Sequence, residues 1–182
     1  MGETGTLGTG QPVRRAQGVI DMVLSLVLLL AIIAVVLSLQ HRGGGRAITV
    51  IDPSSAYAGA RNVAAYPVRT PQGLPAQWRP TSARTQRPET GRLTLRVGFV
   101  TPKGKYAQLV ESDLPRDRLL GTELSPGARP SGSVLVGARA WQEFPPRRSG
   151  DRVIVRTDRG VTYLVSGSAD LDELRILAAS LR

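Results

Sequence analysis

Apolar positions follow different rules in different parts of the chain. From Met22 to Leu39 (MVLSLVLLLAIIAVVLSL) there are 18 residues without a charge. Adding Val19 and Ile20, and tolerating Asp21, lengthens the stretch to 21 residues. At about 1.5 Å per residue such a helix reaches about 30 Å, the thickness of the hydrocarbon core of a bilayer. Buried helices of soluble domains seldom carry apolar or small residues on every face, so the run predicts a transmembrane helix over residues 19–39. It exceeds the roughly 7–15 apolar residues of a cleaved signal peptide, and it ends Leu37-Ser38-Leu39-Gln40-His41 with no small-x-small site. A lipoprotein signal would need a Cys, and the chain has none. Arg14-Arg15 is followed by Ala16-Gln17-Gly18, a poor twin-arginine match. An uncleaved anchor is the expected reading.

Beyond the span the period changes to two. Over Arg92–Val100, Leu93, Leu95, Val97 and Phe99 fall on one face and Thr94, Arg96 and Gly98 on the other, the pattern of a half-buried antiparallel strand. Thr101-Pro102-Lys103-Gly104 supplies a turn, and Lys105–Glu111 returns as the hairpin partner. A second hairpin is expected between Arg152–Thr157 and Val161–Ser166. Its loop, Asp158-Arg159-Gly160, suits a type I turn closed by a left-handed glycine. Val134–Phe144 reads as one further strand stopped by Pro145-Pro146, Leu114–Leu120 as a short helix, and Ala47–Ile51 as a strand stopped by Asp52-Pro53. Ser54–Tyr66 is Ala-rich and helical in propensity, with Ser54 or Ser55 as cap. Pro67, Pro71 and Pro75 then impose an extended, meandering path as far as Trp78.

The period of 3.6 returns at the C-terminus. Leu171, Leu174, Leu177, Ala178 and Leu181 make one stripe. Asp170 with Glu173 forms a capping box, and the acids at the start and Arg175 and Arg182 beyond complement the helix dipole. The economical architecture is α+β: an N-terminal transmembrane helix followed by an antiparallel β-sheet domain, with a helix after the first strand and a C-terminal helix packed on the sheet. The predicted organisation is a disordered Gly-rich cytoplasmic tail at 1–18, the span at 19–39, a Gly-rich linker at 40–45 and one extracytoplasmic domain at 46–182.

Charge adds a partner question. There are 24 Lys+Arg against 14 Asp+Glu, but only Lys103 and Lys105 are lysines. Arginines are strewn through the strands and not gathered on one element, so no nucleic-acid partner is expected. Arg14 and Arg15 before the span balance Arg42 and Arg46 after it, so the positive-inside count is a tie. The short basic tail favours a cytoplasmic N-terminus and an outward C-terminal domain.

The residue inventory excludes much chemistry. Without Cys there are no disulfides, thiolate metal sites or Cys nucleophiles. The one histidine, His41, abuts the span, where a headgroup contact is a better reading than a triad. There is no G-x-S-x-G, S-x-x-K, H-E-x-x-H or P-loop. Asp170, Asp172 and Glu173 are explained by helix capping before metal binding. Asp21 reads as a helix cap, Glu111 and Asp113 as acids at a strand end, and Trp78 as a plug pinning the Pro-rich segment to the sheet. Arg147-Arg148 is a basic loop, solvated or facing lipid headgroups. No residue is assigned to catalysis, to a cofactor or to a metal.

Three stretches together carry a resemblance: Asp21-Met22-Val23-Leu24-Ser25-Leu26; Tyr66-Pro67-Val68 followed by Gly73-Leu74-Pro75-Ala76-Gln77-Trp78-Arg79-Pro80-Thr81-Ser82; and Gly98-Phe99-Val100-Thr101-Pro102 leading into Lys105-Tyr106-Ala107. In order and spacing these resemble a family of actinobacterial single-pass membrane proteins that carry a domain of unknown function. Ala76-Gln77 departs from a residue-Gly pair expected before the Trp. The resemblance implies an envelope location with the domain outside, and it brings no activity and no site residues. The expected function is a membrane-anchored extracytoplasmic binding or interaction domain without catalysis. Its partners would be the bilayer through residues 19–39 and an envelope protein, lipid or polymer. The alternatives are a carboxylate-dependent envelope enzyme and, with the topology reversed, a membrane-tethered cytosolic basic domain.

Overall fold

The computed structural model describes residues 2, 22–35, 49–87, 91–146, 148 and 150–181. It divides into two units, Met1–Ile48 and Thr49–Arg182. In the first, residues 22–35 form a helix, α1, whose side chains are all exposed. The expected span over 19–39 runs past α1 at both ends, where residues 19–21 and 36–39 lie outside the described residues. Among the described residues no helix is long and apolar enough to cross a membrane. The tail (except Gly2) and the linker expected at 1–18 and 40–45 also fall outside them.

The second unit is an antiparallel sheet of seven strands with helices on both faces. Its strands are β1 Arg79–Gln86, β2 Thr94–Val100, β3 Tyr106–Ser112, β4 Gly132–Val136, β5 Arg139–Phe144, β6 Arg152–Asp158 and β7 Val161–Gly167. Its helices are α2 Ser54–Val63, α3 Arg116–Glu123 and α4 Leu171–Ala179. The strands lie in the order β1-β2-β3-β7-β6-β5-β4, so two meanders meet where β7 pairs with β3.

Alternation along the strands explains the two cores. Leu95, Val97 and Phe99 of β2, Leu109 of β3, Tyr163 and Val165 of β7 and Trp141 of β5 face one side, where Tyr57 and Ala60 of α2 and Leu174, Leu177 and Ala178 of α4 cover them. On the other side Val110, Leu164, Val153, Val155 and Phe144 pack under Leu119 and Leu120 of α3. The α4 stripe is therefore core, as its period predicts, and fully burying each leucine contributes about 1.5–3 kcal/mol.

Several expectations change in detail. Residues 49–51 are not a strand: Ile51 N–H donates to the Pro80 carbonyl at 2.9 Å, and Pro53 prevents a ladder from continuing. Helix α2 ends at Val63 rather than Tyr66. Its first turn is tied down not by a serine cap but by Asp52, whose carboxylate accepts from Ser54 N–H (2.9 Å) and Ser54 Oγ–H (2.7 Å). Val134–Phe144 is a hairpin, because Gly137 takes φ +58° at the first of two loop positions, which opens a primed turn. The β6–β7 loop has two residues, Arg159 (φ +50°) and Gly160 (φ +81°), and not three, since Asp158 pairs with Val161. In the expected capping box only one half forms. Asp170 Oδ1 accepts from Glu173 N–H at 2.9 Å, while Glu173 Oε1 accepts from Lys103 N–H at 3.3 Å and Lys103 pairs with Asp170. The carboxylates thus clip the β2–β3 turn onto α4.

Candidate functional site

The Pro-rich segment after α2 crosses the sheet in extended form and delivers Arg69 to the centre of its α4-covered face. Arg69 N–H donates to Glu111 Oε1 at 3.1 Å, and Tyr66 O–H donates to the Glu111 carbonyl at 3.4 Å. Glu111, next to the last residue of β3, is completely buried, and its Oε2 has no hydrogen-bond partner among the described residues. Burial pushes its carboxyl up to about 7, against the opposing Arg69 hydrogen bond and the Arg69 and Arg61 charges. The same burial, with the Glu111 charge second, raises the Tyr57 and Tyr66 hydroxyls and lifts Tyr163 to about 12.

Arg69 turns its guanidinium away from Glu111. Its Nη2 donates to Asp158 Oδ2 at 2.9 Å, and its Cζ stands 5.0 Å above the Tyr163 ring. Arg156 Nη2 reaches the same Asp158 oxygen at 3.0 Å. The pairing of Arg156 with Tyr163, and of Asp158 with Val161, sets these residues side by side on one face of β6 and β7. Burial raises the Asp158 carboxyl, but Arg156, Arg69 and Arg159 outweigh it and hold it below the usual range. One carboxylate oxygen therefore orients two guanidiniums.

Both guanidiniums line a cavity of about 280 Å³, bounded by Arg139 and Trp141 of β5, Tyr163 of β7 and the last turn of α4. Trp141 and Tyr163 are buried and form its floor. Arg139 has no hydrogen-bond or ion-pair partner among the described residues. Three arginines against one aspartate leave an excess of positive charge beside an aromatic floor, an arrangement that fits an anionic group attached to a small flat or apolar body. A second concavity, of about 660 Å³, lies on the opposite face of the sheet.

Residues singled out in the sequence mostly hold structural positions. Asp170 caps α4, while Glu173 is buried against the β2–β3 turn and Asp172 pairs with Arg175. Asp113 Oδ1 accepts from Leu93 N–H at 2.7 Å, closing the end of the β2–β3 hairpin. Trp78 is buried edge-on against Phe99 with centroids 6.2 Å apart, so it pins the Pro-rich segment as expected. Arg148 lines the opposite concavity. His41, Asp21 and Arg147 lie outside the described residues. The cavity residues Arg69, Arg156 and Asp158 were not legible as a site, because Arg69 and Asp158 are 89 positions apart with no motif linking them.

Fold and cavity together define an α+β domain with an arginine-rimmed pocket on a helix-covered sheet. The chain belongs to the family of proteins of unknown function DUF4245, which matches residues 14–181. No curated protein matches it. Among solved structures, the crystal structure of a GTP binding regulator from Thermotoga maritima is similar at 13% identity. That likeness covers 59% of this chain and 80% of that one, with a TM-score of 0.38.

Proposed function

We propose that this chain is a membrane-anchored, extracytoplasmic ligand-binding protein, held in the bilayer through residues 19–39, that takes a small anionic ligand in the cavity beside Asp158. The anchor is supported by the uncharged run Met22–Leu39, within which α1 has Ser25 as its one polar side chain and so no polar face to turn to water. The binding reading rests on one observation: a single Asp158 oxygen holds the Arg69 and Arg156 guanidiniums at 2.9 and 3.0 Å on the rim of a pocket floored by Trp141 and Tyr163. Guanidiniums fixed in advance bind carboxylate or phosphate without a large ordering cost.

A binding role accounts for the lining better than catalysis does. The side chains around the cavity are arginine, aromatic and aliphatic. The nearby acid with a raised pKa, Glu111, is buried out of reach behind them. In the intact protein in nanodiscs, benzoate or phenyl phosphate should bind, and neutral benzamide at least tenfold more weakly. Arg156→Ala should remove that preference. Equal binding of the neutral compound, or indifference to Arg156→Ala, overturns the assignment. A reporter active only outside the cytoplasm, fused after Arg182, tests the location separately.

A further inference from the structure

The sheet face that carries α3 is only partly covered by it. Over the rest of that face, β1, β2, β3 and β7 form the concavity of about 660 Å³. Its lining is polar: Ser82, Gln108, Ser166 and Ser168 offer hydroxyl and amide groups, and Asp151 an acid. Tyr106 stands among them. It is the one exposed side chain of the eight aromatics in the sequence, at 41%.

The placement of that ring is constructed. Gly98 lies beneath it on β2, and a Cβ there would come within 2.8 Å of the Tyr106 hydroxyl, 3.0 Å of its Cε2 and 2.5 Å of Ser82 Oγ. The ring therefore lies down over a strand position that only glycine leaves open, with its hydroxyl against Ser82. The Tyr106 backbone is clamped as well. Its N–H donates to Ser168 Oγ at 3.2 Å and its carbonyl accepts from Ala169 N–H at 3.0 Å.

The charges around the ring are unequal in what they already do. Arg96 is spent on Glu123 and on Gln86. Arg84 and Arg148, both exposed, have no hydrogen-bond or ion-pair partner among the described residues. An aromatic face bordered by short hydroxyl and amide side chains suits the C–H face and ring hydroxyls of a sugar. Two free guanidiniums add a preference for an acidic substituent.

We propose that this trough binds an acidic saccharide: the sugar ring stacks on Tyr106, its hydroxyls meet Ser82, Gln108 and Ser166, and its carboxylate or phosphate pairs with Arg84 and Arg148. This site is independent of the cavity beside Asp158, which lies on the other face. The test uses the full chain in nanodiscs, titrated by calorimetry with digalacturonic acid, with glucose 1-phosphate and with neutral digalactose, and followed by saturation-transfer NMR. At least one acidic sugar should bind, at least tenfold more tightly than digalactose, with transfer centred on sugar-ring protons; which of the two binds identifies the acid. Tyr106→Ala should weaken binding at least tenfold and Tyr106→Phe should retain it. Arg84→Ala with Arg148→Ala, both at exposed unpaired positions, should erase the preference for charge. The proposal is overturned if neither acid binds, if digalactose binds as tightly, or if the double arginine variant keeps the preference.

Discussion

Replacing Glu111 by Gln should make the domain more stable at neutral pH, against the usual result of altering a buried residue. The Glu111 carboxyl is wholly buried, with one oxygen accepting from Arg69 N–H and the other unpartnered. Its pKa rises from 4.5 to about 7 in the fold. The folded state therefore keeps this proton to higher pH than the unfolded chain does, and stability falls as pH rises from about 4.5 through about 7. A rise of that size corresponds to about 3 kcal/mol at about 1.4 kcal/mol per unit. Glutamine keeps an acceptor for Arg69 N–H and carries no charge at any pH, while its amide group takes the unpartnered place. Urea melts of both proteins from pH 4.5 to 8 isolate the effect, because the other acids cancel in the difference. The wild type should lose about 3 kcal/mol relative to Glu111→Gln across that range, which at about 2 kcal/mol per molar is a relative midpoint change of about 1.5 M. Parallel curves would mean that the ionised carboxylate is stabilised in the fold as well as in water, and would refute the reasoning.

Residues 46–182, expressed alone, should melt in a single transition and give a dispersed amide NMR spectrum, since a unit of this size buries nearly 70% of its extended-chain surface; aggregation or a collapsed spectrum would count against it. Leu174→Ala should cost about 2–5 kcal/mol in denaturant melts, the transfer and cavity cost of a fully buried leucine. Ile176→Ala, on the exposed side of the same helix, should stay within about 0.5 kcal/mol. Gly167→Ala should cost more than about 3 kcal/mol, because its Cβ would sit 2.1 Å from the Tyr106 carbonyl oxygen at φ +149°; a soluble variant with an unchanged midpoint would contradict that.

Where hydrophobic period carried the information, the fold was legible. The β2–β3 hairpin, the β6–β7 pair and α4 stand close to their expected limits because their apolar residues are buried in the core. Strand β1 went unread. Arg79–Gln86 holds no large apolar residue, and it is tolerated because it is an edge strand, mostly exposed toward its end. The β4–β5 hairpin was hidden for the opposite reason: Val134–Phe144 is apolar enough to read as continuous, and Gly137-Ala138 lacks the Asn-Gly signal of a tight turn. Helix α3 explains why some strands are apolar on both faces, as in Leu109-Val110 and Tyr163-Leu164. The cavity could not be read at all. Its arginines come from a loop and two strands, and only the register of β6 on β7 and the path of the Pro-rich segment assemble them.

The seam between the two meanders also governs how the domain is made. Gln108 to Ser112 pair with Ser166 to Thr162, across separations of 50 to 58 residues, so this edge of β3 is covered by β7. The β1–β3 meander can close locally on a microsecond scale, as hairpins do. It must then wait for the last strand. At about 5–20 residues per second, synthesis leaves the β3 edge open for about 3–10 s, a million times longer than the hairpins need. During that interval Leu109 and Val110 sit on a strand with one open edge that invites pairing with a neighbouring chain. Misassembly is thus a hazard of the growing polypeptide, and any factor that shields the nascent chain would act there, before β7 arrives.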